Sequence, residues 1–544
     1  MFFIVFLAFA LGALAQPAAT PADLVIENAK IYTVDQMLPT AKSLAVKDGK
    51  FLVVGDDLAK FIGPQTRRVD AQGAAIIPGL IDAHVHMRGL GDMLESFDLR
   101  FVKTPAEVAR IVKAAGDKLA PGEWVLGRNW DQTNWGGEFP TADDLSKVIN
   151  DRPVFLRRVD GHAAWANRKA LELAGLTKET KDPAGGRIIR DAAGNPTGVL
   201  IDRAMGLVAA KIPPVTAAQV KRRLELAAAA CARLGLTGVH DAGIGVLERN
   251  AYRELIREGK LSVRVYAMIG GTGELWQEYA KSGPELGDYL TIRSVKLYAD
   301  GALGSRGAAL WQPYSDEKST SGLLVTTEET LKDQIREVAA KGFQVNTHAI
   351  GDRANRIVLD EYAQVLGGKN DRRFRVEHAQ VISLPDFKLF ADNSVIASVQ
   401  ATHATSDMRW AEKRLGPDRV MGAYAWQRFK KAGIPLANGS DFPVEEPNPL
   451  FGFYASFTRQ DQTGFPEGGW MPDQRLSRAE ALDSFTLSTA YAAFEEKVKG
   501  SITPGKLADF VVMDRDIMTA APLDVLKAKP RATVLGGKVV YGNL

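Results

Sequence analysis

From about Ile76 to Ala437 the chain alternates short apolar β-type runs with amphipathic helical stretches, and this rhythm constrains the fold more than any other feature. Ala217 to Leu234 reads as an amphipathic helix, begun at Thr216 and stopped at Gly235. Thr326 with Glu329 predicts a capping box for a helix running to Gly342, and the strand Phe343 to Thr347 follows directly. Helix Ala354 to Leu366, strands Phe374 to Glu377 and Val395 to Gln400, helix Ala423 to Ala432 and strand Pro435 to Ala437 continue the pattern. Repeated βα units of this kind require a parallel sheet, doubly wound or closed into a barrel. No Gly-x-Gly-x-x-Gly opens a helix after the first strand, which counts against a dinucleotide-binding doubly wound sheet. The expected fold class is α/β, with a doubly wound sheet and a closed (β/α)8 barrel of the TIM type both open at this point.

The two ends have a different texture. Leu24 to Val34, Ser43 to Val46, Phe51 to Val54 and Arg68 to Ile77 are short β-type runs, with Asp48-Gly49 as a hairpin turn. Asp509 to Met513, Ala532 to Leu535, the Gly536-Gly537 turn and Lys538 to Tyr541 repeat it. A small β-sandwich domain built from residues 23–77 plus 499–544 is therefore expected, around a barrel over 78–498. Residues from about 89 to 214 are rich in Gly, Pro, Trp and Asp, with poor periodicity, and read as an insertion on the carboxyl-end loops over the barrel mouth.

Met1 to Ala15 is almost wholly apolar and ends in Ala13-Leu14-Ala15, so residues 1–22 read as a secretory signal peptide and linker, although the start lacks Lys and Arg. The expected location is periplasmic or secreted, with no stable membrane insertion after cleavage; an uncleaved anchor is the alternative. The single cysteine, Cys231, allows neither an intrachain disulfide nor a cysteine-built metal site, so metal chemistry here must use histidines and carboxylates. The net charge of +3, without a Lys/Arg run, gives no electrostatic case for a nucleic-acid or membrane-surface partner; the expected partners are a small-molecule substrate and a second copy in a homodimer.

Several of the seven histidines end apolar β-type runs. In a barrel such positions converge on one mouth. In Pro78-Gly79-Leu80-Ile81-Asp82-Ala83-His84-Val85-His86 the two histidines are two residues apart, so on a strand they share a side and can grip one ion; a pair of satisfied core histidines has the same spacing. His348 ends Val345-Asn346-Thr347-His348, His378 ends Val376-Glu377-His378, and Asp441 follows Ala437-Asn438-Gly439-Ser440. Four such sites in successive βα units are hard to explain as packing. His240, in Gly238-Val239-His240-Asp241, also ends a β-type run and fits the mouth or a supporting role, whereas His403 has no assignment.

The run Pro78 to His86, with His348, His378 and Asp441 in these contexts, resembles the amidohydrolase superfamily. Val295-Lys296-Leu297-Tyr298-Ala299-Asp300-Gly301 through Arg306 looks like its third family, which includes N-substituted-formamide deformylases, and Asp160-Gly161-His162-Ala163-Ala164-Trp165 is similar to that branch's substrate-side motif. The resemblance implies the closed (β/α)8 barrel with the split β domain, and divalent metal, expected to be zinc, in one or two ions per chain. His84 and His86 would bind one ion and His348 and His378 the other, with Lys296 carboxylated by carbon dioxide as the bridge; the alternative for Lys296 is an ion pair with Asp300 or another carboxylate. Asp441 is the expected metal ligand and catalytic proton shuttle. His162, Trp165, Trp130 and Asp131 are the expected substrate-side residues.

The expected activity is metal-dependent hydrolysis of a non-peptide C–N bond, in an N-substituted amide or formamide, by metal-activated water. The same chemistry serves a lactone or ester, and a non-catalytic binding protein on a retired hydrolase scaffold is the reading from another class.

Overall fold

The computed structural model describes residues 20–544 apart from 96, 100–101, 120–121, 159–162, 184–185 and 305. The expected leader lies largely in 1–19, outside the described residues. Among the described residues, no helix is long and apolar enough to cross a membrane.

Eight parallel strands follow one another in chain order around a barrel: β1 (Leu80–Val85), β2 (Leu236–Ile244), β3 (Arg264–Gly270), β4 (Leu290–Tyr298), β5 (Gln344–Ala349), β6 (Arg375–His378), β7 (Ile396–Gln400) and β8 (Leu436–Gly439). Each strand pairs in parallel with the next from β1–β2 to β7–β8, with register shifts in the β1–β2, β2–β3 and β3–β4 pairs and a regular register beyond, for example Lys296 opposite Asn346 and Ala349 opposite His378. The seam from β8 back to β1 is closed differently. The Asp441 amide donates to the His84 carbonyl (2.8 Å) and the His86 amide to the Phe442 carbonyl (2.9 Å). Below them the Asp82 carboxylate accepts from the Ser440 amide and hydroxyl. A Cβ at Gly439 would sit 2.6 Å from Asp82 Oδ1 and 2.7 Å from the His84 nitrogen, so only glycine permits this approach.

Alternation along the strands sorts the side chains. Val295, Leu297, Val345 and Val376 belong to the large core between strands and helices. Their neighbours Ser294, Lys296, Gln344, Asn346, Arg375 and Glu377 are buried and polar, so the barrel axis is lined by hydrogen-bonding and charged groups.

The helices begin where local chemistry allows. Ala217–Arg233 is capped by Thr216, whose hydroxyl accepts from the Gln219 amide while the Gln219 side chain reaches back. The helix Glu328–Ala340 starts one residue later than expected: Thr327, not Thr326, is its cap and accepts from the Thr330 amide, placing Glu328 and Glu329 in the first turn, where the helix dipole favours them. The helix expected from Ala423 spans Trp426–Lys431, because Tyr424 adopts φ 49° and Ala423 instead bridges to Val381.

Chain ends meet in two sheets. One holds Leu24–Glu27, Ser43–Lys47, Lys50–Gly55 and Arg67–Asp70. The other pairs Ala75–Pro78 antiparallel with Phe510–Met513, flanked by Lys30–Tyr32 on one side and by Pro530–Leu535 and Lys538–Gly542 on the other. Ile26, Leu44, Phe51, Ile76, Phe510 and Val534 share one apolar core.

The segment after β1 that reads as loops carries a six-stranded mixed sheet, from Phe97–Asp98 and Val125–Trp130 through Val154–Arg158 and Ala163–Ala166 to Pro196–Asp202 and Gly186–Arg190. It has apolar cores of its own, one around Leu99, Val112, Trp130 and Trp165, another around Phe155, Leu171 and Leu200.

Candidate metal centre

Strand ends bring the expected residues together. His84 lies near the end of β1 with His86 just beyond it, Lys296 and His348 lie near the ends of β4 and β5, His378 ends β6, and Asp441 lies just past β8. His84, His378 and Asp441 each offer a ligand atom, all within 4.8 Å of one another. The His84 ring centroid is 4.9 Å from that of His378, and His378 is 4.5 Å from His348. His86 Nε2 approaches Asp441 Oδ1 at 3.2 Å, and His84 Nε2 lies 3.7 Å from the same oxygen. His378 (φ 74°) and Asp441 (φ 60°) both occupy the left-handed region, a backbone cost that non-glycine residues carry mainly where surrounding structure demands it.

The far side of each imidazole is occupied. His84 Nδ1 is 2.5 Å from Glu377 Oε2, and His378 Nδ1 is 2.8 Å from Gln400 Oε1. Each ring therefore leaves Nε2 for the centre. Glu377 is also 2.8 Å from Arg375 Nε, and Arg375 reaches His240 Nδ1 at 2.9 Å, so His240 sits in the buried layer beneath the mouth.

Electrostatics suit a cation. Burial, with Lys296 nearby, pushes His84 down to about 4 and His348 down to about 3, and burial beside His348 and His84 pushes His378 down further. All three are thus neutral donors at pH 7. Burial pushes Asp441 up, but the His86 ring, with Nε2 3.2 Å from Oδ1, leads the contacts that outweigh it and keep the carboxylate ionised. The Nε2 atoms of His348 and His403 are buried and complete no hydrogen bond within the protein. Neutral imidazoles and an ionised carboxylate with unsatisfied donor atoms fit a divalent cation.

Lys296 is buried, with Nζ 3.1 Å from His84 Nε2 and 4.8 Å from the Tyr298 ring centroid, and burial pushes its amine down to about 8. Asp300, the alternative partner, is occupied elsewhere: it accepts from the amides of Ala309 (2.8 Å), Ile350 (3.0 Å) and Gly351 (2.8 Å).

Two of the expected substrate-side residues, Trp130 and Trp165, do not join the cluster. Trp130 and Trp165 are fully buried in the insertion's own core, their rings 6.0 Å apart, and their indole N–H groups donate to the carbonyls of Leu156 and Thr141. Their expected place in a pocket wall is corrected to core packing, because a large aromatic with its one donor satisfied internally has nothing left to present. Asp131 pairs with Arg158 at 2.8 Å. His162 lies outside the described residues. His403, unassigned from sequence, stacks at 6.0 Å on His378 with Nε2 3.9 Å from Asp441 Oδ2. Glu377 and Gln400 were also unassigned; the acid directly before His378 and the polar residue ending β7 were the available signals.

Comparison with known proteins agrees with this geometry. The Amidohydrolase family model matches residues 67–541. The chain is 36% identical to Protein LONG AFTER FAR-RED 3 of Arabidopsis thaliana, over 98% of this chain and 94% of that one. It is 27% identical to the N-substituted formamide deformylase of Arthrobacter pascens, over 95% and 98% respectively. Among solved structures, a metal-dependent hydrolase from Pyrococcus horikoshii matches with a TM-score of 0.77 at 30% identity, covering 92% of this chain and 99% of that one.

Proposed function

Because this chain belongs to the amidohydrolase superfamily, in its third family, we propose that it hydrolyses a non-peptide C–N bond, that of an N-substituted amide or formamide, at a divalent-metal centre. The observation that carries the reading is the convergence of His84, His378 and Asp441 from β1, β6 and the end of β8 to within 4.8 Å. His84, His378 and Asp441 would hold an ion, with His86, His348 and a carboxylated Lys296 completing a two-ion version of the site. When bound, the cation, zinc in this reading, would supply Lewis-acid chemistry, acidifying a water and polarising the carbonyl. Asp441, ionised and beside His86, accepts the proton of the attacking water and returns it to the departing nitrogen as the C–N bond breaks, so that an acid and an amine leave. The similarity to a formamide deformylase supports the nitrogen leaving group.

The test is a panel of N-formyl amines, N-acyl amines, esters and lactones offered to protein of measured metal content. Turnover of the amides, lost on chelation and regained with zinc, is expected. Turnover of esters or lactones with no amide hydrolysed overturns the C–N assignment.

A further inference from the structure

Beneath the centre lies a charged layer that packing alone does not require. Arg375, Glu377, His84 and His240 are each fully buried. Glu377 spans two of them, with Oε2 2.5 Å from His84 Nδ1 and Oε1 2.8 Å from Arg375 Nε. The guanidinium donates onward to the Ala83 carbonyl (2.6 Å), the Ser398 hydroxyl (2.9 Å) and His240 Nδ1 (2.9 Å). One arginine thus ties β1, β2, β6 and β7 around one carboxylate. Desolvating both charges is costly, and apolar side chains of similar volume commonly stabilise such a position at least as well. The pair therefore points to a task other than stability.

We propose that Glu377, anchored by Arg375, is a positioning residue of the metal centre, fixing the ring and tautomer of His84 and strengthening it as a donor. An ionised carboxylate only accepts, so Nδ1 of His84 carries the proton and the Nε2 lone pair faces His378 and Asp441. The equally buried Arg375 guanidinium, with Nε 2.8 Å from Oε1, is the counter-charge that pairs with this carboxylate. His378, by contrast, rests on the neutral Gln400. The two imidazoles are consequently unequal ligands, the one on β1 being the more basic. A Nδ1–H on His84 also passes order downward: Arg375 donates to His240 Nδ1, which leaves the proton of His240 on Nε2.

This inference rests on the divalent-metal reading of the site, and the experiment separates the two. The full-length protein is stripped and titrated with zinc against a chromophoric chelator, and with cobalt(II) while its visible spectrum is followed. Glu377→Gln is expected to weaken zinc binding about ten- to a hundred-fold and to shift the cobalt bands. The paired variant Glu377→Gln with Arg375→Met removes both charges, so no unpaired buried ion remains to unfold the barrel, and it is expected to show the same loss with an unchanged circular dichroism spectrum. Zinc affinity within about two-fold of wild type in both variants, with unshifted cobalt bands, overturns the positioning role while leaving the metal site standing. A wild-type protein that binds neither ion overturns both.

Discussion

The Asp82 carboxylate accepts hydrogen bonds from both the amide (3.0 Å) and the hydroxyl (2.7 Å) of Ser440, so a single side chain of β1 joins the first barrel strand to the turn after the last. The join is dry, and burial pushes Asp82 up to about 7. Its protonated form is favoured in the fold relative to the unfolded chain, where the group titrates near 3.8. Its contribution to stability is therefore complete below that lower value and is lost as pH rises through about 7. Denaturant unfolding of metal-free wild type and Asp82→Asn between about pH 4 and 7 is expected to show the difference between them shifting against wild type by up to about 1.4 kcal/mol per pH unit. A pH-independent difference means that Asp82 is ionised in the fold.

Asp441 is assigned two tasks, holding the ion and moving a proton. Asp441→Asn retains one oxygen donor but cannot take up a proton, and kcat is expected to fall about 10²- to 10⁴-fold while the fold is preserved. Steady-state kinetics against the same substrate check this; undiminished turnover removes Asp441 from the proton path.

Lys296, its amine pushed down to about 8 by burial, has a neutral fraction able to combine with carbon dioxide at mildly alkaline pH. Protein refolded with zinc and carbon-13 bicarbonate is expected to give a carbamate carbonyl resonance that Lys296→Met lacks. If wild type gives none, the bridge is not a carboxylated lysine and the histidines and Asp441 hold the ion without it.

Trp165 is a core residue of the insertion, and Trp165→Ala is expected to cost about 3–5 kcal/mol of stability there, read as a lowered urea midpoint. KM for substrate is expected to stay near wild type in native buffer. A large rise in KM with unaltered stability would restore a place for this indole at the binding surface.

What was legible in the sequence was local. Strand–helix alternation is a property of neighbouring residues, and a histidine at the end of an apolar run identifies itself, so the βα units and the positions of His84, His348, His378 and Asp441 at strand ends could be read directly, whereas closure into a barrel followed only from the family resemblance. The weight of Glu377 could not, because it depends on His84, 293 residues earlier in the chain. The insertion misled for a different reason. Gly127 resembles a loop marker, yet a Cβ there would fall 2.4 Å from the Phe97 ring: the glycine is demanded by close packing within a sheet. The tryptophans nearby fill that sheet's core, where a Trp-rich stretch of poor periodicity suggests an exposed rim. Thr326 and Thr327 are chemically equal candidates for a cap, and only the path of the preceding chain chooses between them.

The antiparallel pairing of Ala75–Pro78 with Phe510–Met513, reinforced where the Phe51 amide meets the Lys506 carbonyl, has a consequence for how the molecule is made. During synthesis Ala75–Pro78, which has Lys30–Tyr32 on one side, leaves the ribosome with its other edge unpaired and keeps it so until nearly the whole message has been read. A chain stopped short of Phe510 would expose an apolar edge containing Ile76 and Ile77 that can recruit the wrong strand, so premature termination is expected to yield aggregates rather than a smaller working enzyme.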